Sequence, residues 1–220
     1  VPLTAIFDID GTLIDTNYQH ALAWYRAFRQ EGIVVPIWRI HRAIGMGSDR
    51  VVQMLAGDQV ERDLGDTLRD AQGPYYDEMI DEVEPMDGAH ELLRELKQAG
   101  HTIILASSAT ADEAEHYIGL LRAEEYIDGY TTSADVENTK PHPDIVKAAL
   151  AKADSDAGVM IGDSTWDCEA ATRAGLPSIG VLTGGFSEQE LLGAHATRVY
   201  DSVAHLRDQL ADRSLEDIVG

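Results

Sequence analysis

Four short apolar, largely β-branched runs punctuate this chain: Leu3 to Ile9, Thr102 to Ala106, Gly158 to Ile161 and Ser178 to Leu182. Each is followed by polar residues and then by a helical pattern. Continuous apolar runs of this length suit strands covered on both faces, and parallel strands need long crossovers that helices supply. The alternation therefore predicts an α/β fold, a Rossmann-like doubly wound parallel sheet. Weaker strands are expected near Tyr126 to Thr132 and Thr197 to Tyr200. Helices are expected around 88–99, 111–121, 143–152, 166–174, 187–193 and 202–211. Gly100, Gly175 and the Gly184-Gly185 pair read as helix ends or turns.

One stretch breaks this rhythm. From about Thr16 to Val83 there is no buried-strand pattern, only amphipathic segments such as Tyr18 to Gln30 and Asp49 to Leu55. This is the signature of a helical insertion, so the expected organisation is a core of residues 1–15 and 84–220 with an α-helical cap of residues 16–83. The insertion follows the first strand, where an open parallel sheet presents its ligand crevice, and is expected to cover that crevice as a lid. A length of 220 residues accommodates both parts.

Charge narrows the partners. Asp and Glu number 39 against 17 Lys and Arg, for a formal net charge of -22. Such a chain does not attract nucleic acid or an anionic membrane surface. A phosphorylated ligand would be repelled at long range too, so a site for one needs concentrated local positive charge: a divalent cation, a buried lysine, or backbone N–H groups at helix starts. The single cysteine, Cys168, cannot form an intrachain disulfide, and there is no CxxC or His-rich cluster for zinc. These features read as cytoplasmic. No apolar stretch approaches the ~18 residues of a membrane span, and the first strand-like run begins almost at Val1, which leaves no room here for a signal peptide. A monomer is the default expectation.

The first strand ends in Phe7-Asp8-Ile9-Asp10-Gly11-Thr12-Leu13, which puts two carboxylates at the carboxyl end of an apolar run. Two such groups repel and lose solvation unless a cation binds or one holds a proton. The functional reading has Asp8 coordinating Mg²⁺ and attacking phosphorus, with Asp10 protonating the leaving oxygen and then deprotonating water. The plain alternative is an Asx turn closing the strand.

Three further signals end later strands. Ser107 closes the run Thr102 to Ala106, where its hydroxyl and the next backbone N–H can bind phosphate oxygens; Ser108 competes for that role, and a helix N-cap is the common alternative. Lys140, one of four lysines, stands in Thr139-Lys140-Pro141-His142-Pro143-Asp144, where two prolines stiffen its backbone for a charge-neutralising task. Finally, the strand ending at Ile161 runs into Gly162-Asp163-Ser164-Thr165-Trp166-Asp167. Asp163 reads as a metal ligand. Asp167 reads as an acid orienting Lys140 or a metal-bound water, or as an ordinary first-turn helix Asp.

Together, Asp8-x-Asp10-Gly11-Thr12, Ser107, Lys140 and Gly162-Asp163-x-x-x-Asp167 resemble the four ordered motifs of the haloacid dehalogenase superfamily, across nearly the whole chain. The helical-cap branch containing phosphoglycolate phosphatase and β-phosphoglucomutase is the one it looks like. The resemblance implies a cap inserted after the first motif, Mg²⁺ held by Asp8, the Asp10 backbone carbonyl and Asp163, and an aspartyl-phosphate on Asp8. It also implies a substrate set of Thr12, Ser107, Ser108 and Lys140. Because the dehalogenase branch lacks the second Asp of the first motif, Asp10 favours phosphoryl transfer to water from a small phosphorylated metabolite.

In the cap, Arg39, His41, Arg42 and Arg50 surround Ile44-Gly45-Met46-Gly47-Ser48. Related phosphatases place a specificity loop here, which nominates Gly47 and Arg50 as substrate contacts; a helix-connecting turn with solvated basic residues is an equal reading. His20 lies where β-phosphoglucomutase-like members carry a hinge histidine, so it joins the substrate set and keeps a sugar-phosphate mutase as the second reading. Residues 51–96 hold no lysine to match the cap lysine of that family. Trp24, Trp38, Tyr75 and Tyr76 read as packing between cap helices, and Cys168 as a buried filler. A non-catalytic binding module is the remaining class; against it, every motif position is filled.

Overall fold

The structure is a computed structural model, and residues 2–220 are described. The chain divides into two compact units, Val1–Asp15 with Pro85–Gly220, and Thr16–Glu84.

In the first unit, the described strands are β1 (Thr4–Phe7), β2 (Thr102–Ala106), β3 (Gly129–Thr131), β4 (Gly158–Gly162), β5 (Ser178–Val181) and β6 (Arg198–Tyr200). They form one sheet in the order β3-β2-β1-β4-β5-β6, with every pairing parallel. β1, β4 and β5 are buried at every position, which explains why they read as unbroken apolar runs rather than as alternation. The short edge strands β3 and β6 are partly exposed and correspondingly weak in sequence.

In the second unit, the described helices are α1 (Asn17–Gln30), α2 (Ile37–His41), α3 (Ser48–Ala56) and α4 (Asp58–Asp77), followed by a 3-10 turn at Ile80–Glu82. Their shared core includes Trp24, Phe28, Ile40, Val51, Val52 and Leu68. The 20-residue α4 was not foreshadowed by a periodic run: Gly65, Gly73 and Pro74 lower its intrinsic propensity, and burial of Leu68 and Tyr76 offsets that. Pro74 lies near the C-terminal end, where few helical bonds are lost.

The crossovers of the first unit are α5 (Ala89–Gln98), α6 (Ala111–Leu121), α7 (Asp144–Lys152), α8 (Thr165–Ala174), α9 (Glu188–Gly193) and α10 (Val203–Leu210), with a terminal α11 (Leu215–Val219) that the sequence reading did not anticipate. Ile6, Ile104 and Met160 from three adjacent strands pack with Ile145, Val146 and Ala149 of α7 and Ala170 and Ala171 of α8. Side-chain caps stop the helices from sliding: Thr110 and Glu113 close a capping box on α6, and Ser164 and Asp167 one on α8. No helix among the described residues is long and apolar enough to cross a membrane.

The strand order reverses at β1. From it the chain builds outward through β2 and β3, then returns to the other side with β4, β5 and β6. A ligand crevice in such a sheet opens beyond the carboxyl ends of the strands flanking this point. Those strands are β1, which leads into Asp8, and β4, which leads into Asp163.

Candidate active site

Register brings the two strand ends level. Phe7 pairs with Ile161 on one side and with Leu105 on the other, so Asp8, Gly162 and Ala106 are next in line. The Asp8 N–H continues the ladder, donating to the Ile161 carbonyl at 2.9 Å. Asp8, Lys140, Asp163 and Asp167 are all buried, between 0% and 3% exposed. Ligand oxygens of Asp8, Asp163 and Asp167 lie within 4.8 Å of one another.

Lys140 is the counter-charge. Its ammonium donates to Asp8 Oδ1 and stands 2.7 Å from Asp167 Oδ1. Burial alone would push this lysine down, but Asp167 and Asp8 outweigh it and hold the ammonium above its ordinary value, so it stays charged. The loop carrying it is held from α8, where Arg173 donates to the Pro141 carbonyl at 2.6 Å. Burial pushes the Asp8 carboxyl well above its usual range; Lys140 opposes this, while Asp167, Asp163 and Asp10 add to it. Three buried carboxyl groups thus face a single ammonium.

Asp167 is committed on both oxygens. Oδ2 accepts from the Ser164 backbone N–H at 3.1 Å and from the Ser164 hydroxyl at 2.6 Å, and Oδ1 faces Lys140. It approaches because residue 162 is glycine: a Cβ there would lie 2.6 Å from the Asp167 Cβ. Asp8 Oδ2 and Asp167 Oδ1 are both buried with no hydrogen-bond partner, but Asp167 Oδ1 has the Lys140 ammonium at 2.7 Å. An orphaned carboxyl oxygen among three clustered acids has the donor chemistry for a hard divalent cation, and the residues present fit Mg²⁺.

Thr12, expected as a substrate contact, has its hydroxyl engaged within the protein. It is fully buried, and its hydroxyl donates to Asp163 Oδ1 at 3.1 Å, which orients that carboxylate. Asp10 is half-buried in the loop after β1 and close enough to raise Asp8. Ser107 is buried just past β2, and its Oγ accepts from the Ala109 N–H at 3.0 Å, while Ser108 is half-buried.

His20, Gly47 and Arg50 belong to the second unit. The His20 ring stacks on Tyr76 at 3.9 Å between centroids and 2° between planes. Gly47 precedes α3, and Arg50 lies in its first turn with Nε buried and without a hydrogen-bond partner. Trp24 and Tyr76 are buried as helix packing requires, but Trp38 is 67% exposed and lies outside the core. A short helix, α2, has one face for the core, which Ile40 takes. Cys168 is buried in α8, and burial first, then Asp167, pushes its thiol up to about 12, which fits a filler rather than a nucleophile.

Residues 5–181 match the family described as haloacid dehalogenase-like hydrolase. The chain belongs to the haloacid dehalogenase-like hydrolase family. Among its relatives, pyrophosphatase PpaX of Bacillus cereus is 29% identical over 188 residues, 81% of this chain and 82% of that protein. Validoxylamine A 7'-phosphate phosphatase of Streptomyces hygroscopicus subsp. limoneus is 28% identical over 193 residues, 81% of this chain and 85% of that protein. A hydrolase from Pseudomonas syringae superposes with a TM-score of 0.89 at 33% identity, covering 96% of this chain and 99% of that one. Membership of this hydrolase family, together with relatives named as phosphatases, also answers the binding-module reading.

Proposed function

We propose that this chain is a Mg²⁺-dependent phosphatase of small phosphomonoesters, a cytoplasmic monomer that works through an aspartyl-phosphate on Asp8. The observation that carries the reading is the Asp8 carboxylate itself: Oδ1 is held by Lys140, and Oδ2 is buried without a partner beside Asp163. Two relatives bear names of enzymes that cleave phosphate bonds, which supports the same chemistry. The lone buried cysteine fits a reducing compartment.

Asp8 Oδ2 and Asp163 would hold the metal, with the Asp10 backbone carbonyl as the third protein ligand that the family resemblance implies. When bound, Mg²⁺ supplies concentrated positive charge to phosphoryl oxygens. An Asp8 carboxylate oxygen attacks phosphorus, and the bond from phosphorus to the leaving oxygen breaks. Asp10 gives its proton to that oxygen, so the alcohol departs neutral. Asp10, now a base, takes a proton from water; the resulting hydroxide attacks phosphorus, releases inorganic phosphate and restores Asp8. Lys140 stays charged throughout and offsets the negative charge gathered on Asp8 and the phosphoryl group. Ser107 and Ser108, at the end of β2, offer a hydroxyl and N–H groups to phosphate oxygens. His20, Gly47 and Arg50 are the proposed leaving-group contacts.

The test is phosphate release from a panel of phosphomonoesters, including phosphoglycolate, hexose phosphates and nucleotides, with Mg²⁺ and with EDTA. Glucose 6-phosphate formed from β-glucose 1-phosphate is followed in parallel. Metal-dependent phosphate release is the expected result; isomer formation without free phosphate would replace the phosphatase by a sugar-phosphate mutase.

A further inference from the structure

β5 runs directly into the tight turn Leu182–Gly184, which the mechanism above does not use. Two of its residues reach the loops that carry the site. Thr183 Oγ1 donates to the Gly11 carbonyl at 2.5 Å, and Gly11 directly follows Asp10. Gly184 is buried against Asp163: a Cβ placed there would lie 2.5 Å from Asp163 Cγ and 2.8 Å from its Cβ, and would overlap Oδ2. The opposite oxygen, Oδ1, takes the Thr12 hydroxyl at 3.1 Å. The Asp163 carboxylate thus has a donor on one side and a Cα with no side chain on the other.

We propose that Thr183 and Gly184 are positioning residues of this active site: Thr183 fixes the backbone that carries Asp10, and Gly184 leaves the space in which Asp163 presents its carboxylate beside Asp8. The proposal rests on the phosphatase reading. Its physical basis is tolerance. A catalytic group displaced by about 1 Å costs on the order of 100-fold in rate, and a loop is a poor platform unless its backbone is tied to a rigid element. β5, buried at every position, is such an element, and Thr183 is the tie.

The two roles leave different marks. Thr183→Val keeps the volume and removes the donor. We expect kcat on an alkyl phosphate, whose leaving oxygen needs the Asp10 proton, to fall about 10-fold or more. On p-nitrophenyl phosphate, whose leaving group departs without that proton, the loss should stay within about 2-fold, with KM little changed. Thr183→Ser should restore the alkyl-phosphate rate. Gly184→Ala should weaken Mn²⁺ binding to the substrate-free protein by about 10-fold or more, read by electron paramagnetic resonance, with circular dichroism checking the fold. Gly193→Ala, where an added Cβ meets nothing within 4 Å, is the control.

Equal slowing of both substrates by Thr183→Val overturns the Thr183 assignment, and wild-type Mn²⁺ affinity in Gly184→Ala overturns that of Gly184. Should Gly184→Ala not fold, the Thr183 pair decides the proposal. A wild-type protein that neither binds Mn²⁺ nor releases phosphate removes the phosphatase reading and this proposal with it, an outcome distinct from a failed variant of a working enzyme.

Discussion

Lys140 Nζ lies 2.7 Å from Asp167 Oδ1 while it also donates to Asp8, so one buried ammonium ties the end of β1 to the first turn of α8. Burying such a triad costs desolvation at every member, a penalty that can equal or exceed the Coulombic gain. What it secures is a fixed geometry between a proposed nucleophile and the charge that offsets it.

Removing the lysine exposes that cost. Lys140→Met leaves Asp8 and Asp167 buried without their cation, and loss of one partner of a buried ion pair destabilises by about 3–5 kcal/mol. For a chain of this size that is a fall of about 10 °C in the melting temperature of the metal-free protein. Differential scanning calorimetry in EDTA measures it, and an unchanged Tm would mean that the carboxylates reach solvent or protonate at no cost.

Asp8→Asn keeps the volume of the side chain but removes the nucleophile. Turnover should fall by a factor on the order of 10⁴ or more, with near-ultraviolet circular dichroism unchanged. Activity equal to wild type would rule out covalent catalysis at this residue. Asp10→Asn should slow substrates with poor leaving groups by roughly 100-fold or more and spare those with good ones.

Divalent metal should stabilise the fold even in the absence of substrate, because a bound cation offsets the repulsion among Asp8, Asp163 and Asp167. At about 100 times its dissociation constant, Mg²⁺ contributes about 2.7 kcal/mol. A thermal-shift titration with Mg²⁺, reversed by EDTA, reads this directly. No shift in wild type, or an equal shift in Asp163→Ala, would count against the assigned ligands.

A pH effect is expected away from the site. The Thr132 backbone N–H, donating at 2.8 Å, is the main reason the Asp135 carboxyl sits below its ordinary value of 3.8; partial burial opposes it, and Lys152 adds a 3.1 Å ion pair. Because the folded pKa is depressed, the unfolded chain binds the proton more readily. The contribution is therefore complete above 3.8 and is lost as pH falls through the lower folded value. Asp135→Asn should lower Tm at neutral pH, and the difference from wild type should shrink as pH drops below 3.8; a difference constant with pH would contradict the assignment.

Much of this was legible without coordinates. β2 and α6 fall on the residues that periodicity marked, and the other expected strands and helices agree to within a few residues at their ends. Buried parallel strands write themselves as apolar runs, because both faces are covered and the requirement is local. The motif carboxylates were legible for a related reason: charge at the end of such a run is costly enough to need a purpose. α4 was not, since two glycines and a proline hide a helix that packing stabilises, and Trp38 was misjudged because spacing does not say which face of a five-residue helix turns inward.

By itself, then, the sequence determined the alternation of strands and helices, the strand-end placement of Asp8, Asp163 and Lys140's rigid loop, and the chemistry those residue types favour. Only the tertiary structure decided their partners: that Thr12 serves Asp163 across 151 positions, that Thr183 grips Gly11 across 172, and that one Asp167 oxygen caps a helix while the other faces Lys140. Periodicity and capping arise between residues a few positions apart. Contacts at those separations depend on strand order, register and side-chain packing, which exist only once the sheet has assembled.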